Sequence, residues 1–210
     1  MIELAFLFAK GLGIGMAMAA PVGPVGALCI RKAITTGKSS AILSGLGAAT
    51  ADAFYGAVAA FGLTAVSSIL IQYQAPATLI GGLFLLWLSY TFLKNARVAT
   101  ASAAGGTVSV SSLWSGYFST FLMTITNPAT ILSFLAIFAG IGFVGASSFF
   151  SALLLIVGVF LGSTLWWIIL AYLATELQKR MGARFITVVN ITSAVIIGLF
   201  GIAALGSLLL

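Results

Sequence analysis

The chain has 210 residues, of which 61% are hydrophobic and 6% charged. A soluble domain of that size cannot hide so much apolar surface, so the main solvent is lipid and no room is left for a separate soluble domain. The net charge of +6 does not imply a nucleic-acid partner, because eight of the nine basic residues sit in short groups between apolar runs, where membrane orientation signals belong.

The apolar runs are long and continuous, without the alternation of an outer-membrane barrel. They predict an all-α polytopic membrane protein of about six transmembrane helices. Span 1 covers about Leu4 to Ile30 and is interrupted by Pro21-Val22-Gly23-Pro24. It starts with Glu3 rather than a basic stretch and lacks a small-residue cleavage site, so it reads as a retained helix. Arg31, Lys32 and Lys38 follow in a short polar loop. Span 2 covers about Ala41 to Ile71 and span 3 runs from Pro76 to about Lys94, with the proline in the first turn where no amide donor is needed. An Ala, Gly, Ser and Thr-rich cytoplasmic linker covers residues 98–112. Span 4 covers about Leu113 to Ala139 and contains Asn127-Pro128. Span 5 covers about Phe149 to Ala174, a loop carries Glu176, Lys179, Arg180 and Arg184, and span 6 covers about Phe185 to Leu209.

The connections after spans 1, 3 and 5 hold the basic groups, and those after spans 2 and 4 hold none. The positive-inside rule then makes the basic loops cytoplasmic and places both termini outside the inner (plasma) membrane. Residues 1–97 and 113–210 each hold three spans, so the second half is inverted relative to the first. The first span of each half is interrupted by proline, the usual sequence pointer to a transporter's midplane site.

Asp52 is the first candidate for chemistry. It lies about 20 Å past Lys38 at 1.5 Å per residue, near the middle of a bilayer. A carboxylate there is costly unless it is paired, hydrated or protonated, so it is suited to exchanging a proton or meeting a cation. The second candidate is the break at Pro21, Gly23 and Pro24. Two prolines remove donors and clash with the preceding turn. The helix should restart near Pro24, and its free amides, from about Val25, Gly26 and Ala27, would form a positive pole for an anion. The third is Asn127-Pro128. Pro128 frees a carbonyl near Thr124, and Thr124, Thr126 and Asn127 offer polar groups at the same depth.

Tyr55 lies one turn from Asp52 on the same face and is expected to share its pocket or to pack in the core. Asn190 reads as an interhelical hydrogen bond. Trp87, Trp166 and Trp167 read as packing or lipid contacts, and Gly11-xxx-Gly15 and Gly158-xxx-Gly162 as close-packing signals. No nucleophile with a base and no second buried acid is visible, so neither a catalytic residue nor a cofactor is expected. With no His and a single cysteine, Cys29, no metal site is expected either, and no intramolecular disulfide can form.

Four elements carry a family resemblance: Pro21-x-Gly23-Pro24, Gly47-x4-Asp52, Gly-Leu-Phe-Leu-Leu-Trp-Leu beginning at Gly82, and Asn127-Pro128-Ala129-Thr130. Together they resemble the lysine exporter (LysE) and homoserine/threonine resistance (RhtB) family of amino-acid exporters, over nearly the whole chain. The resemblance implies export of amino acids or related small solutes, driven by the proton gradient or membrane potential, with homodimers as an expectation. Heavy-metal cation efflux, known in the wider superfamily, is the alternative it leaves. On the exporter reading the cargo carboxylate docks near Pro24, its ammonium or a proton meets Asp52, and Asn127 completes the pocket.

Overall fold

The computed structural model describes residues 2–20, 23–61, 72–95, 110–127, 130, 133–134 and 148–209. Among them every regular element is helical: α1 (Ile2–Ala19), α2 (Pro24–Thr35), α3 (Lys38–Ala60), α4 (Gln74–Asn95), α5 (Val110–Ile125) and α6 (Phe149–Gly206). Four helical stretches among these residues are long and apolar enough to cross a membrane, and α1 with α2 makes a fifth if the bent pair is one span. Residues 96–109, which hold most of the expected linker, lie outside the described residues, as do Pro21, Pro128 and the side chain of Asn190.

The interruption in span 1 is larger than a kink. The axes of α1 and α2 meet at 82°. Gly23 is extended and Pro24 occupies the start of α2, where its missing amide costs no hydrogen bond. α2 continues to Thr35, so Arg31 and Lys32 lie on its last turns and not in a loop as the sequence suggested. Cations are favoured at that end by the helix dipole. Both side chains are half-buried, and the Arg31 guanidinium sits 3.5 Å over the Phe92 ring. Gly37, with φ of +100°, then turns the chain into α3, a conformation that L side chains rarely adopt.

α6 is helical throughout Phe149–Gly206, including the stretch expected as a loop. Glu176 reaches Lys179 at 3.1 Å and Arg180 at 3.7 Å. These pairs, with Leu177 and Gln178 as good helix formers, let the helix continue. The element nevertheless has two arms. Trp167 packs with Cys29 of α2, and Ser193 Oγ donates to the Ala27 carbonyl of the same helix at 3.0 Å. In a straight helix those two residues would stand about 39 Å apart. The arms, residues 149–180 and 187–206, therefore fold back along each other.

Helix contacts form a regular pattern. α1 packs on the first arm of α6, α3 on α5 and on the first arm, and α4 on the second arm. Lipid chains are as apolar as leucine, so helices associate there through close packing rather than through expulsion of water. At Gly11, Gly15, Gly158 and Gly162 an added Cβ would strike a backbone carbonyl across the α1 interface, so this crossing is backbone to backbone. The α3–α5 crossing is also close, and Thr120 Oγ1 donates to the Ser44 carbonyl. Ser89 Oγ on α4 donates to the Ala194 carbonyl at 2.7 Å. Ile80, Leu83, Trp87 and Tyr90 lie exposed at helical spacing on α4, an apolar face of the kind lipid requires.

Candidate functional site

Each break in a helix leaves backbone polar groups that must be satisfied or turned toward a cavity. α2 starts at such a break. Its first backbone bond runs from the Ala27 amide to the Gly23 carbonyl at 3.0 Å. The amide of Ala27 is thus committed, contrary to the sequence expectation, while Val25 and Gly26 carry the amides of the first turn. Twelve aligned peptides stand behind them. Gly23, Pro24, Val25 and Gly26 all line one cavity of about 180 Å³. A positive helix pole therefore faces the cavity.

Asp52 lines the same cavity from α3 and is 4% exposed. Ser163 Oγ, on the first arm of α6, donates to Asp52 Oδ2 at 2.7 Å. Trp167 Nε1, one turn further along, donates to Ser163 Oγ at 3.1 Å. The indole nitrogen can only donate. Ser163 therefore accepts from Trp167 and gives its own proton to the carboxylate, so the chain of bonds has one direction. It aims the carboxylate from a wall that is buried, with Ser163 fully enclosed.

α5 supplies the third side. It ends at Ile125, and the chain turns through Thr126 and Asn127. The Asn127 amide donates to the Thr124 carbonyl at 3.3 Å, so the carbonyl expected to be free is taken by a tightened turn. Thr124 lines the cavity and is 5% exposed; its hydroxyl is buried and among the described residues has no hydrogen-bond partner. A buried hydroxyl left in that state costs about 1–3 kcal/mol unless something in the cavity bonds to it. Asn127, Thr130 and Ser133 complete the polar lining.

Of the sequence candidates, the structure brings Gly23, Pro24, Val25, Gly26, Asp52, Thr124 and Asn127 to one cavity. Tyr55 is not in its lining. Its hydroxyl donates to the Ile125 carbonyl at 2.6 Å, and its ring packs on Phe134. It braces the end of α5 rather than the acid. Thr126 turns its hydroxyl to its own helix, donating to the Leu122 carbonyl at 2.6 Å. Trp87 faces outward, but Trp167, read as packing or lipid contact, is a wall of the cavity. Sequence reasoning missed Ser163, which is 111 residues from Asp52 and lies in an unbroken apolar run. Phe200 was missed for the same reason. Among the described residues no three His, Cys, Asp or Glu side chains gather.

The cavity lies where the chain breaks before α2 and after α5, and it holds groups of both polarities. The helix pole complements an anion and Asp52 a cation. Comparison with known proteins identifies a transporter family. The profile of the LysE type translocator family matches residues 16–207. The protein YcgF of Bacillus subtilis (strain 168), whose name gives amino acid efflux as a provisional role, is 29% identical over 185 residues, 86% of each chain. The uncharacterised membrane protein YahN of Escherichia coli (strain K12) is 26% identical over 175 residues, 82% of this chain and 77% of that one. No solved structure matches.

Proposed function

The chain belongs to the LysE type translocator family, and from that membership we propose that it exports amino acids or closely related zwitterionic solutes across the inner (plasma) membrane, coupled to the proton gradient. The family is one of transporters, so the site is read as a binding station and not as a centre of catalysis. What supports the zwitterion reading is that a positive helix pole, a buried carboxylate and Thr124, whose buried hydroxyl has no partner among the described residues, meet at a single cavity. A zwitterion leaving water needs a complement for each end charge. The Val25 and Gly26 amides receive the cargo carboxylate. Asp52 receives the ammonium, or a proton when the cargo has left. Thr124 and Asn127 bond the polar edge that remains.

Access alternates by motion of one three-helix half, residues 1–97, against the other, residues 113–210. The helix contacts support this reading. With α1–α2, α3 and α4 as the three spans of one half, and α5 and the two arms of α6 as those of the other, exchanging the halves carries several of the helix contacts into one another. α1 with the first arm becomes α5 with α3, and α4 with the second arm becomes itself, while the contacts of α2 with α6 and α3 have no counterpart among the described residues. The basic groups that follow spans 1, 3 and 5 support a topology with both termini outside. Association into homodimers belongs to the same proposal.

The test is export of labelled amino acids from cells carrying Asp52→Asn. The amide keeps an oxygen for Ser163, so the wall of the cavity survives while the charge is lost. Proton-dependent export should fall at least about tenfold, the worth of one charge-assisted hydrogen bond. Export that stays proton-dependent at the original rate would remove the carboxylate from the mechanism.

A further inference from the structure

A second cavity of about 240 Å³ adjoins the first and shares Pro24, Val25, Asn127 and Phe200 with it. It lies between the central site and one end of the bundle, because its walls include Thr78 near the start of α4 and Ser207 at the end of α6. Lys94 marks the opposite end of α4. The two cavities differ in chemistry. The second is walled by Leu85, Met123, Ala203 and Ala204, and no residue in its lining is ionisable. Two of its hydroxyls are committed to their own helices: Thr126 donates to the Leu122 carbonyl at 2.6 Å and Ser207 to the Ala204 carbonyl at 2.7 Å. The surface facing the space is mainly methyl, methylene and thioether, with Asn127 and Thr78 as further polar members of the lining. The Phe200 ring lies at the shared wall, against the Gly23 break.

We propose that the second cavity is the side-chain pocket of the transport site, and that the cargo is an amino acid with an uncharged, apolar side chain. This rests on the reading of the central cavity as the seat of the two end charges. A cargo anchored between the start of α2 and Asp52 can direct its side chain past the shared wall of Val25 and Phe200. An aliphatic side chain loses water there against Leu85, Met123, Ala203 and Ala204. A lysine or glutamate side chain finds no opposite charge, and its ionised end stays unsatisfied. The second cavity thus sets specificity while the first sets affinity for the common backbone of amino acids.

The experiment uses purified protein in phosphatidylethanolamine–phosphatidylglycerol liposomes with labelled leucine, alanine, lysine and glutamate. Leucine should move at least about tenfold faster than lysine or glutamate. Ala204→Phe fills the pocket and should lower the leucine-to-alanine ratio about tenfold, whereas Leu85→Ala enlarges it and should raise the ratio of labelled phenylalanine, added for this comparison, to leucine. These ratios are internal to each preparation, so loss of folded protein does not imitate them. If Ala204→Phe fails to reach the membrane, the Leu85→Ala ratio decides. Lysine or glutamate carried as fast as leucine, or ratios unchanged in the variants, would overturn the pocket assignment while leaving amino-acid export standing. A protein that moves none of the four would bring down the export reading, and the pocket with it.

Discussion

Replacing Ser163 by alanine removes one oxygen and disturbs two groups at once. Asp52 Oδ2 loses the donor at 2.7 Å, and Trp167 Nε1 loses its acceptor at 3.1 Å. A hydrogen bond to a charged group is worth about 1.5–3 kcal/mol, and an indole donor left buried without a partner costs about 1–3 kcal/mol. Ser163 is fully enclosed and Trp167 is 4% exposed, so water cannot make good the loss from the packed side. The second effect falls on the fold. The first falls on the aim of the carboxylate, and if cargo or proton requires that aim, export drops roughly 10- to 100-fold. The assay is initial export rate per folded protein, with thermal unfolding in detergent measured alongside. Trp167→Phe keeps the Ser163–Asp52 bond and removes only the upstream donor, so its export should fall less than that of Ser163→Ala. Because Ser163 acts through the acid, Ser163→Ala combined with Asp52→Asn should cost little more than Asp52→Asn alone. Wild-type export in Ser163→Ala, or full additivity in the double variant, would refute the reasoning.

Thr124→Val keeps the shape of the side chain and removes an unpartnered buried hydroxyl, so the empty protein should gain about 1 kcal/mol in unfolding stability. Export by the same variant should show a KM raised about fivefold or more with kcat little changed, the signature of lost binding. Tyr55→Phe strands the Ile125 carbonyl that its hydroxyl caps and should lower stability by about 1–3 kcal/mol, read from the thermal midpoint. Gly15→Ala drives a Cβ into the Val159 carbonyl and should destabilise the α1 crossing by about 1–3 kcal/mol. Gly13→Ala, where an added Cβ meets nothing within 4 Å, serves as its control and should leave stability near that of the wild type.

The amino-acid sequence determined the solvent, the helical class and the breaks. Continuous apolar runs leave the backbone no option in lipid except to bond within its own segment, so helices follow from composition. Proline has no amide wherever it stands, so the restart of α2 at Pro24 follows from covalent structure. Asp52 announced itself because a carboxylate so deep in an apolar run is expensive in every fold. Only the tertiary structure decided what meets that acid. Ser163 and Trp167 lie in an apolar run that reads alike on all faces, and their bearing on Asp52 exists only once the first arm of α6 crosses α3. It also decided that Tyr55, one turn from the acid, serves the end of α5 instead, since rotation about a helix axis separates neighbours in sequence. The fold-back of α6 and the joining of two cavities at Phe200 are long-range facts of the same kind. Local chemistry acts over one turn of helix and leaves a mark on composition, whereas a site formed between helices depends on which faces pack, and a uniformly apolar run does not encode that in its pattern.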